Sequence, residues 1–403
     1  MIEIRPCASL EELRDALNAI AHYFGRENQL EDAEELAQRI ELHRVHAARE
    51  DGRVVGGAGA FGVRLAVPGG SVPAAGVTAV GVLPTHRRRN VLRSMMQAQL
   101  EDCRTRGDAV AFLWASEGTI YGRFGYGLGA RTGELSLARE HTRFAVPFEP
   151  SGTVRLVGLE EAGRTFPPLY ERAFAQRPGM FSRSRVWWEE RRLADDPERR
   201  RGSGPLHRAL LELGGEPAGY ALYRVRQEWE AGSTAGTVTV QEAVAPSPEA
   251  TRELWRWLLD FDWTARFAAG LLPLDHPLFL LLAEPRRMRF RIEDGVWVRL
   301  VDVQAALRAR TYAGDGEVVI EVEDAFLPGN AGRRSVSRAG VENTDAGADL
   351  RLDVAALGSA YLGGFSFAEL VRASRAVELE EGAAARADAL FRTSAAPWCP
   401  EIF

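Results

Sequence analysis

Two stretches of this chain run through the same order of elements, and that internal echo confines it to tandem mixed α/β domains before any single element is assigned. The segment 46-HAAREDGRVVGGAGAFGV-63 reads as a hairpin turning at Asp51 and Gly52, with an apolar strand over 77–83 and an amphipathic helix behind it. The segment 207-HRALLELGGEPAGYALYRV-225 repeats the pattern, continued by the strand 236-GTVTVQEAVAP-246 and the helix 247-SPEATRELWRWLLDF-261. A hairpin, a further strand and a covering helix need one shared core, so each copy is a domain-sized unit.

The remaining elements fit around the two copies. Helices are expected over 9–21, 28–42 and 91–106, the last with Val91, Leu92, Met95, Met96, Leu100 and Cys103 on one apolar face. The cluster 68-PGGSVPAAG-76 punctuates the first copy. The strand 109-AVAFLWAS-116, a glycine-ended turn in 117-EGTIYGRFGYG-127 and the strand 132-TGELSLA-138 complete a first domain, residues 1–147. The second copy fills residues 148–287. Residues 288–403 place strands at 296–301, 317–324 and 349–354 before helices at 355–363, 366–374 and 381–392, which makes an α+β module. The fold class is therefore α/β in tandem, then α+β.

The copies differ at the loop between strand and helix. In the first it reads 85-THRRRNVLRSM-95. Strand, tight loop and helix aim backbone N–H groups and a helix dipole at one anion; Arg87, Arg88 and Arg89 add charge, and Asn90 tolerates a left-handed backbone where glycine would be expected. A pyrophosphate fits such a cradle. The second copy has Pro246-Ser247-Pro248-Glu249 there, acid in place of base, so its cradle is lost. All fifty basic residues are Arg, and the net charge is −6. The basic patch is thus local to an acidic protein, which argues against nucleic acid and for a small partner.

Two motifs place these features in a family. Arg87-x-x-Asn90-x-Leu92 approximates the R/Q-x-x-G-x-G/A loop of the GCN5-related N-acetyltransferases (GNAT), with Asn90 where the pattern has glycine. Tyr121-Gly122-Arg123-Phe124-Gly125-Tyr126 resembles their Y-x-K-x-G-F motif. With 115-ASEGTIYGRFGYG-127, the length and the terminus 396-APWCPEIF-403, the whole chain resembles the Eis (enhanced intracellular survival) acetyltransferases of actinobacteria. The resemblance implies tandem GNAT folds, the second degenerate, followed by a sterol-carrier-protein-like C-terminal domain. It also implies a homohexamer that uses acetyl-CoA to acetylate amines, including several on aminoglycosides. Carried over by residue, Val80 and Val82 present backbone groups to the pantetheine arm and thioester. Arg87 and Arg88 meet the phosphates with the loop amides of Asn90, Val91 and Leu92, and Ser116 lines the cofactor channel. Tyr121 aligns with the general acid and the free carboxylate of Phe403 with the general base, while Phe24 and Glu401 are the candidate substrate-binding residues.

Acetyl transfer needs an unprotonated amine, donors for the oxyanion and a proton for the departing thiolate. A splayed strand at 77–83 would leave N–H groups for the oxyanion, each worth about 3 kcal/mol of barrier. A tyrosine near pKa ~10 protonating a thiolate near ~8.5 is uphill by roughly 2 kcal/mol. An α-carboxyl near ~3.5 taking a proton from an ammonium near ~10.4 is uphill by roughly 9 kcal/mol, which burial of the carboxylate and crowding of cationic amines both reduce. The stretch 31-EDAEELAQRIE-41 with Glu401 could form an acidic approach for such amines, although Leu30, Leu36 and Ile40 equally mark a solvated helix with one packed side.

Other residue clusters are weaker. Cys7, Cys103 and Cys399 are too few and too scattered for disulfides or zinc, and are expected as free thiols. His43 and His46 lack a third ligand, so no metal is expected. Asp275-His276 has no nucleophile motif beside it and reads as a turn, and Trp187, Trp188, Trp255 and Trp257 read as core. No secretion signal opens the chain, and 269-AGLLPLDHPLFLLL-282 is too interrupted to span a bilayer, so a cytoplasmic location is expected. Two alternatives stay open: a non-catalytic binding module with a broken cofactor loop, serving an apolar ligand in the C-terminal domain, and an acetyltransferase acting on protein lysines.

Overall fold

The structure, a computed structural model, describes residues 2–403 apart from the side chain of Glu198. Its contacts divide the chain into two units. The first comprises the chain up to Ala130, then Gly295–Pro397 and Ile402–Phe403; the second comprises Arg131–Asp294 and Trp398–Glu401.

The first unit opens with β1 (Glu3–Pro6), α1 (Leu10–Ala21) and α2 (Leu30–Ala37), then the meander β2 (Val45–Glu50), β3 (Arg53–Val67) and β4 (Gly70–Val82). The helix α3 (Val91–Arg106), β5 (Val110–Trp114), α4 (Gly118–Tyr121) and β6 (Gly127–Leu128) follow. Ser9 caps α1 by accepting from the Glu12 N–H at 3.3 Å. Two glycines of this sheet, Gly57 and Gly81, have one packing cause: α1 lies directly on β3 and β4. A Cβ on Gly57 would stand 2.5 Å from the Ala16 carbonyl oxygen, and one on Gly81 would stand 2.7 Å from the Ile20 Cα. Under α3, Met96, Leu100 and Cys103 join Ala60, Ala75, Val77, Ala111 and Leu113 in one core. The helix expected over 28–42 is shorter, because Ile40 is drawn into the core after the helix has ended at Ala37.

The second unit is a seven-stranded sheet built from β7 (Arg131–Ala138), β8 (Gly152–Leu156), β9 (His207–Leu213), β10 (Glu216–Arg226), β13 (Thr237–Val244), β14 (Arg266–Leu272) and β15 (Arg291–Asp294), in the order β15-β7-β14-β13-β10-β9-β8. The small hairpin of β11 (Trp229–Glu230) and β12 (Ser233–Thr234) stands apart. Here α5 (Leu159–Phe174), α6 (Pro248–Leu258) and α7 (Leu278–Leu281) are the helices, and Leu254, Trp255 and Leu258 of α6 pack against Val238, Val240 and Phe267.

The last stretch begins with β16 (Val296–Leu300) and α8 (Val303–Arg308). A five-stranded sheet follows, from β17 (Glu317–Glu323), β18 (Gly332–Ser337), β19 (Gly340–Asn343), β20 (Leu350–Asp353) and β21 (Ala376–Glu378). It carries α9 (Val354–Tyr361), α10 (Phe367–Arg372) and α11 (Ala383–Phe391).

Two strands belong elsewhere than expected. The strand 132–138 was assigned to the first domain, but β7 pairs with β14 and β15 inside the second sheet. The strand at 296–301 was assigned to the C-terminal module, but β16 lies between β5 and β6 and completes the first sheet, β1-β2-β3-β4-β5-β16-β6. The limits at 147 and 287 therefore shift: on contacts, the chain passes to the second unit after Ala130 and returns at Gly295.

Candidate active site

The strand that feeds the arginine loop parts from its neighbour early. β4 runs parallel to β5 only over Ala74–Gly76, opposite Val110–Phe112, while its other edge stays paired with β3 as far as Val82. Beyond Gly76 that inner edge has no ladder partner among the described residues, which leaves a fork between the two strands. A bulge sharpens the departure. Gly59 pairs with Thr78 and Gly57 with Gly81, leaving Ala79 and Val80 opposite one residue of β3. Ala79 takes φ +51°, a left-handed conformation that costs a non-glycine residue about 1–2 kcal/mol. Val80 and Val82 sit on this splayed segment, their side chains packed against residues of α3.

The loop after β4 turns through two left-handed residues. Arg88 has φ +61°, and Asn90, the residue before α3, has φ +63° and ψ +8°. Asn90 thus supplies the left-handed turn expected of it. An asparagine at a helix start usually caps the N–H groups of the first turn, but this side chain makes no such bond. Among the described residues no acceptor takes the N–H groups of Arg87 to Arg93. The first turn of α3 also carries no acid. Seven consecutive backbone donors at the positive end of a sixteen-residue helix are therefore left without an internal partner.

The three arginines have separate fates. Arg89 donates from Nη1 to Glu50 Oε2 at 3.0 Å, and His86 Nε2 lies 3.0 Å from the same oxygen. The Arg89 guanidinium holds the Glu50 carboxyl below its ordinary range. Arg89 is therefore spent on fixing the loop to the end of β2. Arg87 and Arg88 are exposed and have no acidic partner among the described residues.

Around the opening, Ser116 is exposed two residues beyond the end of β5. Tyr121 closes α4 and packs edge-on against Tyr126, with ring centroids 5.7 Å apart. Its neighbours belong to the core under α3, and burial pushes its phenol up to about 12. Phe124 and Tyr126 are almost fully buried. Phe24 ends the short turn after α1 and is 60% exposed, while Tyr23 beside it donates to the Val82 carbonyl at 2.7 Å.

The end of the chain arrives at the same fork. The Phe403 ring packs edge-on against Phe112 at 5.1 Å and Phe61 at 6.2 Å. A Cβ on Gly76 would come within 3.2 Å of its Cε2 atom. The terminal residue therefore lies over the last residue of β4 that β5 holds. Side chains alternate along β5, so Phe112 and Phe403 occupy one face while Ala111, Leu113 and Tyr121 occupy the other. Only where the strands part can groups from both faces approach one another.

Glu401 does not belong to an acidic approach, as the sequence suggested. It is 3% exposed and fully engaged: Trp187 Nε1 donates to Oε2 and Arg191 Nε to Oε1, both at 3.0 Å, and Arg183 Nη2 is 3.0 Å from Oε2. Its negative charge is thus already matched by cationic and N–H donors. The acids Glu31, Asp32, Glu34 and Glu35 of α2 are exposed.

The second unit repeats the fork and fills it. β13 runs parallel to β14 from Thr237 to Val240, then bulges against β10, and the next paired residue is the buried Glu242. Glu242 accepts from Arg183 at 3.0 and 2.5 Å and from Tyr220 at 2.6 Å, with Arg192 at 3.1 Å. Burial alone would raise its pKa, but the two guanidinium groups hold it down at about 2. Arg183 also lies over the rings of Tyr170 and Trp188, at 4.0 and 4.8 Å. The place that stays open in the first unit thus holds a buried ionic cluster in the second, which the sequence reading did not anticipate.

The other candidates settle into structural roles. His46 is buried 3.6 Å from Asp102, and burial lowers its pKa. His276 is buried edge-on against Trp255, accepts from the Leu278 N–H at 3.3 Å, and is held neutral by burial, at about 3. All three cysteines are free and buried, and burial pushes Cys7 and Cys103 up to about 12. Among the described residues no group of three or more His, Cys, Asp or Glu could hold a metal ion, and no helix is long and apolar enough to cross a membrane.

Known proteins share this arrangement. Residues 3–129 match a family model described as an acetyltransferase (GNAT) domain, residues 179–300 match another of the same description, and residues 303–400 match a sterol carrier protein domain. An uncharacterised N-acetyltransferase of Streptomyces avermitilis is 42% identical over 389 residues, covering 94% of either chain. The N-acetyltransferase Eis of Mycobacterium bovis is 38% identical over 352 residues, 84% of this chain and 83% of that one. The crystal structure of Eis1 from Mycobacterium abscessus matches with a TM-score of 0.86 at 37% identity, over 100% of both chains.

Proposed function

Because the chain belongs to the Eis family of GCN5-related N-acetyltransferases, we propose that it carries acetyl groups from acetyl-CoA to primary amines of polycationic acceptors such as aminoglycosides. Two acetyltransferase domains followed by a sterol-carrier-like domain make it an acetyl-transferring enzyme, so the non-catalytic reading falls away. In this proposal Arg87, Arg88 and the amides through Asn90, Val91 and Leu92 grip the diphosphate of the co-substrate. Ser116 lines its channel, and the open edge of β4 at Val80 and Val82 takes the pantetheine arm and the thioester oxygen. Phe24 faces the acceptor. The homohexamer and cytoplasmic location implied by the family resemblance belong to the same proposal.

Proton management rests on Tyr121 and the carboxylate of Phe403. A phenol at about 12 protonating a thiolate near ~8.5 is uphill by roughly 5 kcal/mol, more than the ~2 kcal/mol of an ordinary tyrosine. The proton must therefore move as the C–S bond breaks and not before it. The same burial keeps Tyr121 protonated through the whole working range of pH. The carboxylate of Phe403 is the base, and its shortfall of roughly 9 kcal/mol against an isolated ammonium shrinks when neighbouring cationic amines lower the acceptor's own pKa.

The observation that carries the reading is the fork itself: a strand parted from its neighbour after Gly76, with Phe403 over the parting and a partnerless anion cradle at the strand's end. A panel of aminoglycosides, polyamines and lysine peptides, scored for acetyl-CoA consumption with acetylated positions read by mass spectrometry, tests it. Multiply cationic small molecules should give the highest kcat/KM. If lysine peptides outrun them all, the acceptor is a protein.

A further inference from the structure

The last eight residues are fixed at several points before they reach the fork. Trp398 donates its backbone N–H to the Pro178 carbonyl at 2.8 Å and its indole N–H to the Leu271 carbonyl. Gly179, at φ +93°, lies so close beneath it that a Cβ there would stand 3.0 Å from the Trp398 nitrogen. The Cys399 thiol donates to the Glu401 carbonyl at 3.3 Å. Pro397 fixes φ just before these points and Pro400 between them, so little slack remains in the segment.

The strongest fixture is the Glu401 side chain. It shares Arg183 with Glu242 and has Arg192 Nε at 3.6 Å, in addition to the Trp187 and Arg191 donors. By contacts Trp398–Glu401 belong to the second unit, and Ile402–Phe403 to the first. Two residues reach at most roughly 7 Å, so wherever Glu401 is held, the terminal carboxylate is confined to a small volume beyond it.

We infer that Glu401, held by Trp187, Arg183 and Arg191, is the positioning residue that delivers the Phe403 carboxylate to the fork. The ionic cluster that fills the second unit's opening then has a use: it is the mooring of the chain's end. Glu401 touches neither substrate nor co-substrate in this role, and it acts only through the residue two places on. The inference rests on the terminal carboxylate serving as base, and it adds what places that base.

The test uses the full-length protein with Trp187→Phe, which removes only the indole donor, and Arg191→Met, which removes the partly buried Arg191 donor. Arg185→Met, on an exposed pair with Glu189, is the control. Two readouts are taken: the rate at which carboxypeptidase Y releases Phe403, followed by intact mass, and kcat with the KM for acetyl-CoA. The expected result is at least a five-fold faster release and at least a five-fold lower kcat in both anchor variants, with the KM for acetyl-CoA unchanged and the control like wild type. An unchanged release rate overturns the anchor whatever turnover does. Faster release with unchanged turnover upholds the anchor and refutes the terminal carboxylate as base, so the two ideas fail separately.

Discussion

Gly76 is where a single side chain can separate the fork from the fold. A Cβ there would stand 3.2 Å from Cε2 and 3.5 Å from Cζ of Phe403, and 3.6 Å from Cζ of Phe112. Phe112 is held within β5 and meets the new atom at ordinary contact distance, so the terminal ring is the group that must yield. In Gly76→Ala the ring needs to move by a few tenths of an ångström, which a chain end can do. In Gly76→Val the methyls occupy the place of the ring, which must leave Phe112 and Phe61. Fully burying a phenylalanine stabilises by about 1.5–3 kcal/mol, and this ring is only partly buried, so the lower end applies. Undocking at about 1.5–2 kcal/mol reduces the population of the placed carboxylate by roughly 10- to 30-fold. The strand itself gains, because glycine inside a strand costs about 0.5–1 kcal/mol relative to alanine. The expected outcome is a kcat/KM for the acceptor lowered about 10- to 30-fold in Gly76→Val and less than three-fold in Gly76→Ala, with the melting temperature not lowered. A Gly76→Val enzyme within two-fold of wild type would refute the reasoning.

Three further outcomes follow from the site. Arg87→Gln and Arg88→Gln should each weaken acetyl-CoA binding by about 10-fold in calorimetry, in a salt-dependent way, whereas Arg89→Gln should act mainly through loop stability because Glu50 already neutralises it. Asn90→Gly should bind acetyl-CoA within two-fold of wild type, since the asparagine already adopts the left-handed turn and its side chain caps nothing. The pH profile of kcat should rise toward alkaline pH as the acceptor amine loses its proton. It should show no falling limb up to pH 10, because burial keeps the Tyr121 phenol protonated until about 12; a limb near pH 8 would place the acid elsewhere.

The strand, loop and helix around Asn90 were legible because their signals are local. A basic loop between an apolar strand and an amphipathic helix specifies an anion cradle within a dozen residues, and Asn90 is one of few residues other than glycine that tolerates the turn required. The strand exchange was not legible, since the alternation of 132–138 or 296–301 is the same in whichever sheet the strand pairs. Glu401 was misread because a charge near a chain end is ordinarily solvated, and its partners lie over two hundred residues earlier. One trace of that cluster was present in the sequence: Val238, Val240, Glu242 and Val244 alternate along one strand, so a period of two marks Glu242 as a buried acid in need of a cation, although the bulge before it turns it to the opposite face from Val240. Gly57 and Gly81 likewise reflect the close approach of α1, which no periodicity encodes.

The central claim is that the chain's own last carboxylate works at the fork with Tyr121. Adding a single alanine after Phe403 moves the negative charge one residue on and turns the proposed base into an amide. Single-turnover acetyl transfer by this extended protein, measured beside its affinity for acetyl-CoA, gives the most direct answer. The account predicts transfer slowed by at least 100-fold with acetyl-CoA affinity unchanged; full-rate transfer by the extended protein would contradict it.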